Sequence, residues 1–220
     1  MDGRFRAYNL IARFIPESDR FFGLKRLLLR KCGCRVGKGA RISSAVRFSG
    51  CGTVDIGRDV SIEEATRIRV WGGSVTLADG VRIGPEVVLE AVGDKSVVTV
   101  GERTTISLRT VVSATFGAAV RIGCDNKIAH MVSLKTAKHD IDLDGPCIGG
   151  KRSPEDIVVG SGCWICAGVI VTPGKSVGDR CVLGAGAVVT RDVPSGTLAA
   201  GVPATVRKRY LGSDEPTTRT

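Results

Sequence analysis

An aliphatic residue recurs at every sixth position over long stretches of this chain, and this period restricts the possible folds more than any other feature. Towards the C-terminus such positions follow one another without a gap at Val159, Ile165, Val171, Val177, Leu183 and Val189. An amphipathic helix would place apolar residues three and four positions apart, and a flat strand would place them at alternate positions. A strict period of six fits neither pattern, but it fits a chain that coils around a triangular prism with one hexad on each face.

The same period continues upstream in blocks of three hexads. These blocks begin at Ile56, Leu77, Val100 and Ile122, and a partial block begins at Val36. Glycine follows the first aliphatic residue of nearly every block, where a coil corner favours a residue without a Cβ atom. Three hexads make one coil, and coils stacked about 4.8 Å apart produce parallel strand ladders. We therefore predict an all-β, parallel β-helix of about seven coils over residues 36–211.

Three segments depart from the repeat. Residues 1–35 contain nine basic and three acidic side chains, with apolar clusters divided by Pro16, which predicts two short amphipathic helices that cap the first coil. A long insertion at 140–158 interrupts the hexads and is a candidate functional loop. The polar segment 212–220 is predicted to be disordered.

Composition narrows the partners without identifying one. The chain has 32 Lys and Arg residues against 22 Asp and Glu, a formal net charge of +10, which suits a phosphate-rich ligand, an anionic membrane or nucleic acid. No nucleic-acid-binding motif supports the last of these. There is no apolar run long enough to cross a membrane, and most of the cysteines are expected to be reduced. We therefore expect a cytoplasmic protein, with the inner face of the membrane as an alternative site.

The chain contains two histidines, His130 and His139. His130 lies in the middle of a hexad, whereas His139 ends a third hexad directly before the long insertion. A zinc enzyme built on a comparable coil would need three histidine ligands, so we expect no metal.

With this register established, the chain resembles the hexapeptide-repeat acyltransferases, in the branch of the maltose and galactoside O-acetyltransferases and the colanic-acid-type polysaccharide acetyltransferases. The resemblance rests on the run from Val159 to Lys208 and on the segment IGCDNK-IAHMVS-LKTAKH. It implies a left-handed coil, a homotrimer with active sites between subunits, and transfer of an acetyl group from acetyl-CoA to a sugar hydroxyl. It also implies that His139 is the general base, a role that suits the pKa of histidine.

The resemblance further implies a set of ligand-binding residues. Those for coenzyme A are Trp164, Cys166, Ala167, Ala185, Thr190, Arg191 and Lys208. Arg109 stands where the sugar acetyltransferases carry an asparagine, so we predict that it binds the acceptor, with an acidic sugar as the hypothesis. Asp140 either orients His139 or caps a turn, and we include it among the candidate acceptor-binding residues.

The acceptor remains open at this stage. The basic N-terminal segment favours a precursor of a cell-surface polysaccharide, such as an exopolysaccharide, O-antigen or capsule. The alternatives are N-acetylation of an amino sugar and a β-helix scaffold without catalytic activity. The same basic segment also raises the hypothesis of peripheral membrane association.

Overall fold

The computed structural model of this protein describes residues 3–138 and 153–210. Two helices, α1 (Gly3–Ala12) and α2 (Asp19–Lys31), precede a series of short strands. The predicted tail at 212–220 and most of the predicted loop at 140–158 lie outside the described residues. Among the residues described, no helix is long and apolar enough to cross a lipid bilayer.

The strands form three parallel sheets that run the length of a prism. Sheet A contains β1 (Arg35–Val36), β4 (Thr53–Ile56), β7 (Ser74–Leu77), β10 (Val97–Val100), β13 (Ala119–Ile122), β16 (Ile157–Val159) and β19 (Ser176–Val177). Sheet B contains β2 (Arg41–Ile42), β5 (Ser61–Ile62), β8 (Arg82–Ile83), β11 (Thr105–Ile106), β14 (Lys127–Ile128), β17 (Trp164–Ile165), β20 (Val182–Leu183), β22 (Thr197–Ala200) and the antiparallel β23 (Thr205–Arg209). Sheet C contains β3 (Arg47–Gly50), β6 (Arg67–Trp71), β9 (Val88–Val92), β12 (Val111–Thr115), β15 (Ser133–Lys135), β18 (Ile170–Val171) and β21 (Val188–Val189).

Each coil contributes one strand to each sheet in the order A, B, C, and sheet A holds seven strands. The prediction of a left-handed parallel β-helix of about seven coils with a short helical N-terminal segment is confirmed. Strand β16 begins at Ile157, which pairs with Val120. The last two residues of the predicted loop at 140–158 therefore belong to sheet A.

The hexad aliphatic residues fill the interior. Ile106, Ile165 and Leu183 are completely buried, and the small side chains of Cys163 and Cys181 are also buried. The corners between sheets A and B bring backbones into close contact. A Cβ atom on Gly101 would lie 2.5 Å from the carbonyl carbon of Gly123, so this corner requires glycine.

Phe48 is an aromatic residue that is buried in the interior of the prism. It lies in the first coil, where helix α1 covers it in place of another coil. Its ring stacks on Phe5 at 5.6 Å between centroids and meets Tyr8 edge-on at 5.4 Å. The open end of the prism therefore has the space for rings that the stacked coils lack.

Polar contacts fasten the helical segment to the first coil. The buried Lys25 ammonium donates to the Ser44 hydroxyl at 2.6 Å and to the Ile42 carbonyl at 3.3 Å. Glu17 accepts hydrogen bonds from the Ser43 hydroxyl at 2.6 Å and from the Ser44 N–H at 2.8 Å. These bonds, the Ser43 hydroxyl first, hold the pKa of Glu17 below its ordinary value. The segment packs as a cap on the prism.

Candidate active site

The turns between sheets B and C form one long edge of the prism, the B–C edge. Here residues of successive coils lie directly above one another. The N–H of Met131 donates to the Leu108 carbonyl at 2.9 Å, that of Gly168 to the His130 carbonyl at 3.0 Å, and that of Gly186 to the Ala167 carbonyl at 2.9 Å. His130, Ala167 and Ala185 therefore occupy equivalent positions in three consecutive coils.

The B–C edge carries three of the residues expected to bind coenzyme A, Cys166, Ala167 and Ala185, and the adjoining strand β17 of sheet B carries a fourth, Trp164. The Cys166 N–H is used in the ladder, donating to the Leu183 carbonyl at 3.0 Å, and burial raises the pKa of its thiol. The N–H groups of Ala167 and Ala185 donate to no acceptor within the described part of the chain. Backbone donors of this kind are suited to an extended polar ligand or a developing oxyanion.

Trp164 points outwards from sheet B with 57% of its surface exposed. It pairs in register with Lys127 in the coil below, which in turn pairs with Thr105. A cavity of about 190 Å³ lies over this part of the sheet and is lined by Thr105, Ser107, Lys127, Ile128, Ala129, His130 and Trp164.

The sequence reasoning did not include Thr105, Lys127 or His130 in the site. A usable signal was present for the first two, because each directly precedes a buried hexad aliphatic residue, as Trp164 does. Residues at that position in successive coils form one outward row of sheet B. The position of His130 on the same edge as Ala167 depends on how the coils stack.

Lys208 lies further along the same sheet. It pairs with Leu198, which pairs with Val182, which pairs with Trp164. Three strand spacings separate Trp164 from Lys208, a distance of about 14 Å. The Lys208 ammonium also lies 5.2 Å from the ring centroid of Tyr210. Sheet B thus carries an exposed aromatic ring in one coil and a cation at the C-terminal end, a combination suited to a long ligand with phosphate groups.

The remaining two predicted coenzyme A residues lie at another edge. Thr190 and Arg191 follow β21 at the edge between sheets C and A, the C–A edge, and both are exposed. The residues that follow β15 lie at the same edge, and there Lys138 forms an ion pair with Glu155 at 2.9 Å. Sheet C separates Thr190 and Arg191 from Ala185, so a single chain does not bring all the predicted coenzyme A residues together.

Arg109 lies at the B–C edge, one coil below Met131. Its guanidinium binds both carboxylate oxygens of Glu86, with Nε to Oε2 at 2.9 Å and Nη2 to Oε1 at 3.2 Å. The hydrogen bonds from Arg109 lower the pKa of Glu86, which keeps this carboxylate ionised. The arginine that stands in place of the expected asparagine is therefore held by a neighbouring coil, and its binding of an acceptor stays a prediction.

His139 and Asp140 lie outside the described residues, so the base and its neighbour remain predictions from the sequence. The last described residue before them is Lys138, which places the start of that segment at the C–A edge of the fifth coil. Among the side chains that the structure describes, no group of three or more His, Cys, Asp or Glu residues could hold a metal ion.

Comparison with known proteins extends the similarity over most of the chain. No protein-family model matches. The galactoside O-acetyltransferase of Escherichia coli is 26% identical over 212 residues, which are 96% of this chain and 81% of the enzyme. A Saccharomyces cerevisiae protein named as an acetyltransferase is 37% identical over 102 residues, 46% of this chain. The chain spans only 52% of that yeast protein. A colanic acid biosynthesis acetyltransferase of Escherichia coli, so named, is 27% identical over 72% of this chain and 71% of its own.

Solved structures agree on the fold. The polysialic acid O-acetyltransferase OatWY superimposes with a TM-score of 0.58 at 18% identity, over 85% of this chain and 93% of that one. An N-acyltransferase of Bacillus cereus, solved with dTDP-4-amino-4,6-dideoxyglucose and coenzyme A, gives a TM-score of 0.55 at 20% identity, over 85% and 90% of the two chains. With these matches the resemblance is confirmed: the chain is similar to the hexapeptide-repeat acyltransferases of the branch that includes galactoside O-acetyltransferase and the colanic-acid-type acetyltransferases.

Proposed function

We propose that this protein is an acetyl-CoA-dependent O-acetyltransferase that acts on a sugar hydroxyl. The observation that carries the proposal is the combination of an exposed tryptophan and a lysine on sheet B with two N–H groups at the adjoining B–C edge that have no acceptor among the described residues. The match to galactoside O-acetyltransferase over 96% of the chain supports the same activity. The B. cereus N-acyltransferase, solved with coenzyme A, has this fold.

His139 is the proposed general base. A sugar hydroxyl is a weak nucleophile until a base within hydrogen-bond reach accepts its proton. His139 would take that proton as the hydroxyl oxygen attacks the thioester carbonyl of acetyl-CoA. The acetyl group then moves to the sugar oxygen, and coenzyme A leaves with the proton returned to its sulfur. The N–H groups at the B–C edge are candidates to stabilise the negative charge on the carbonyl oxygen.

We propose that the acetyl-CoA site is shared between subunits of a homotrimer. The predicted coenzyme A residues divide between two groups. Trp164 and Lys208 on sheet B adjoin Cys166, Ala167 and Ala185 at the B–C edge, whereas Thr190 and Arg191 lie at the C–A edge. A second chain that places its C–A edge against the B–C edge of the first would join the two groups. It would also bring its own Lys138, the last described residue before His139, to the side of that cleft. Repeating the contact around a three-fold axis closes a ring.

The proposed acceptor is a saccharide precursor of a cell-surface polysaccharide, acetylated in the cytoplasm. The colanic acid biosynthesis acetyltransferase, which matches 72% of this chain, supports this class. Arg109 lies at the same edge as the cavity beside Trp164 and is the proposed acceptor contact. Its two hydrogen bonds to Glu86 favour one orientation of the guanidinium, which would suit recognition of a particular hydroxyl or carboxylate geometry. Asp140 is proposed to orient His139 or the acceptor.

The two histidines offer a matched test. We expect His139→Ala to lower the rate of acetyl transfer by about 10² to 10⁴ while leaving acetyl-CoA affinity and assembly unchanged. His130→Ala, the control, should keep the pH dependence of turnover that a histidine base produces. The assay measures acetylated product by mass spectrometry with nucleotide-linked, lipid-linked and free sugars as acceptors.

Two results would contradict the proposal. If His139→Ala retains turnover close to that of the original chain, the base lies elsewhere. If calorimetry detects no acetyl-CoA binding to the full chain, the non-catalytic scaffold is the better reading. An acetylated amine in place of an acetylated hydroxyl would change the assignment to an N-acetyltransferase.

A further inference from the structure

The N-terminal cap is apolar on its outer surface as well as on its inner one. In helix α1, Phe5, Tyr8 and Ala12 are buried against the first coil. Yet Leu10, on the opposite side of the helix, is 60% exposed, and Phe14, two residues after the helix ends, is 76% exposed. A helix of a soluble domain normally has one apolar face and one polar face. The α1 segment therefore exposes apolar side chains that the described residues do not cover.

Helix α2 extends this surface. Its buried side contains Lys25 and Leu29, whereas Leu24 and Leu27 are exposed. We refer to Leu10, Ile11, Phe14, Leu24 and Leu27, all exposed, as the outer cap residues. Five large apolar side chains exposed within one short helical segment point to a partner, because isolated exposed apolar residues are common but clusters are not.

Cations accompany the outer cap residues. Arg6 is exposed on α1, Arg13 is exposed directly after it, and Lys31 is exposed in the last turn of α2. The first coil adds one outward arginine on each sheet: Arg35, Arg41 and Arg47. Within the described residues, Arg6, Lys31 and Arg47 form no ion pair. The carboxylate of Glu17, which accepts hydrogen bonds from Ser43 and Ser44, stays ionised but is outnumbered by these cations. This end of the prism is therefore both apolar and positively charged.

We infer that the outer cap residues dock on a surface of anionic lipids. Exposed leucine and phenylalanine with flanking lysine and arginine are the features of helices that lie in the headgroup region of a bilayer. A second copy of this chain is a poorer partner for the same surface, because it would bring a like-charged cap against the first. The attachment is peripheral, and it does not depend on the proposed transferase activity.

The geometry leaves the candidate site clear of the lipid. The cap covers the first coil, whereas Lys138 ends the fifth coil and Trp164 belongs to the sixth. Four strand spacings separate the first coil from the fifth, a distance of about 19 Å. With the cap on the membrane, the prism stands on its end. The B–C and C–A edges then face the aqueous phase on the side of the prism.

Vesicle sedimentation with the full chain tests the inference. We expect binding to vesicles of equal parts phosphatidylglycerol and phosphatidylcholine, weak binding to pure phosphatidylcholine, and weakening by added salt. The double variant Leu10→Ser with Phe14→Ser should lower the partition coefficient on the order of 10²-fold, because both side chains would enter the headgroup region. Arg6→Gln and Lys31→Gln should each lower it about fivefold.

Val202→Ser is the matched control. The exposed fraction of Val202, 74%, is nearly the same as that of Phe14. Val202 lies between β22 and β23 at the opposite end of the prism, so its replacement should leave partitioning unchanged. Leu10 in α1 and Phe14 in the turn after it are both exposed to solvent, so their replacement should leave the circular dichroism spectrum unaltered. The inference is overturned if the original chain does not bind anionic vesicles, or if Val202→Ser weakens binding as much as the double variant of Leu10 and Phe14. Self-association that the cap variant abolishes would assign the surface to a second copy of the chain.

Discussion

Asn126 joins the two coils on which the candidate site depends, and its replacement is the sharpest test of how the prism is held together. The residue is completely buried. Its Nδ2 donates to the carbonyl oxygens of Gly123 and Gly160, both at 2.9 Å, and its Oδ1 accepts from the Cys163 N–H at 2.7 Å. Asn126 belongs to the fifth coil, whereas Gly160 and Cys163 belong to the sixth, which carries Trp164.

The expected loss of folding free energy depends on which buried polar groups lose their hydrogen-bond partners. In Asn126→Ala, the Cys163 N–H and the Gly160 carbonyl would have no partner, whereas the Gly123 carbonyl would keep the hydroxyl of Thr104 at 2.8 Å. Each buried polar group without a partner costs about 1–3 kcal/mol, so we expect the free energy of unfolding to fall by about 4 kcal/mol. Asn126→Asp should cost at least as much, because a carboxylate would face two carbonyl oxygens.

Urea unfolding followed by circular dichroism measures this loss. All variants are compared at one protein concentration, because subunit assembly makes stability depend on concentration. Thr172→Val is the control: its hydroxyl donates to the Val189 carbonyl at 2.8 Å, which also accepts the Thr172 N–H, so no group loses its last partner. We expect that control to cost less than about 1 kcal/mol. If Asn126→Ala is no more destabilised than Thr172→Val, the reasoning about unpaired backbone groups is wrong.

Two further predictions concern the corners and the cap. Gly101→Ala should destabilise the protein by about 3 kcal/mol, because the new Cβ atom would lie 2.5 Å from the backbone of Gly123. Gly23→Ala in α2 is the control and should be neutral or stabilising, because the nearest atom to its new Cβ atom would be 3.7 Å away. Equal urea midpoints for the two variants would contradict this prediction. The hydrogen bond from the Ser43 hydroxyl holds the pKa of Glu17 below its ordinary value, so its contribution to stability is present above the ordinary glutamate pKa and is lost as the pH falls through the lower folded-state pKa. The protection factors of the α2 amides, which correct for the pH dependence of intrinsic exchange, should therefore fall in acid. An identical acid profile in Glu17→Gln would show that this carboxylate is not responsible.

The sequence by itself was sufficient for the architecture. Each face of the prism is one hexad long, so a buried aliphatic residue recurs at every sixth position. Neither an amphipathic helix nor a flat strand produces this interval. Val159, Ile165 and Leu183 could therefore be assigned to the interior before any contact was known. The helical cap and the insertion could also be predicted from the sequence, because the six-residue repeat is absent from both. The family resemblance came from the same register.

The neighbours of each residue were decided by the tertiary structure. Residues that touch across coils are far apart in sequence, and insertions of different length change the interval: 23 residues separate Arg109 from Glu86, and 37 separate Asn126 from Cys163. No fixed period predicts such pairs. The division of the coenzyme A residues between two edges, the cavity beside Trp164 and the outer apolar face of the cap have the same origin. The repeat determines which side chains face inwards, and only the stacking of coils determines which outward side chains meet.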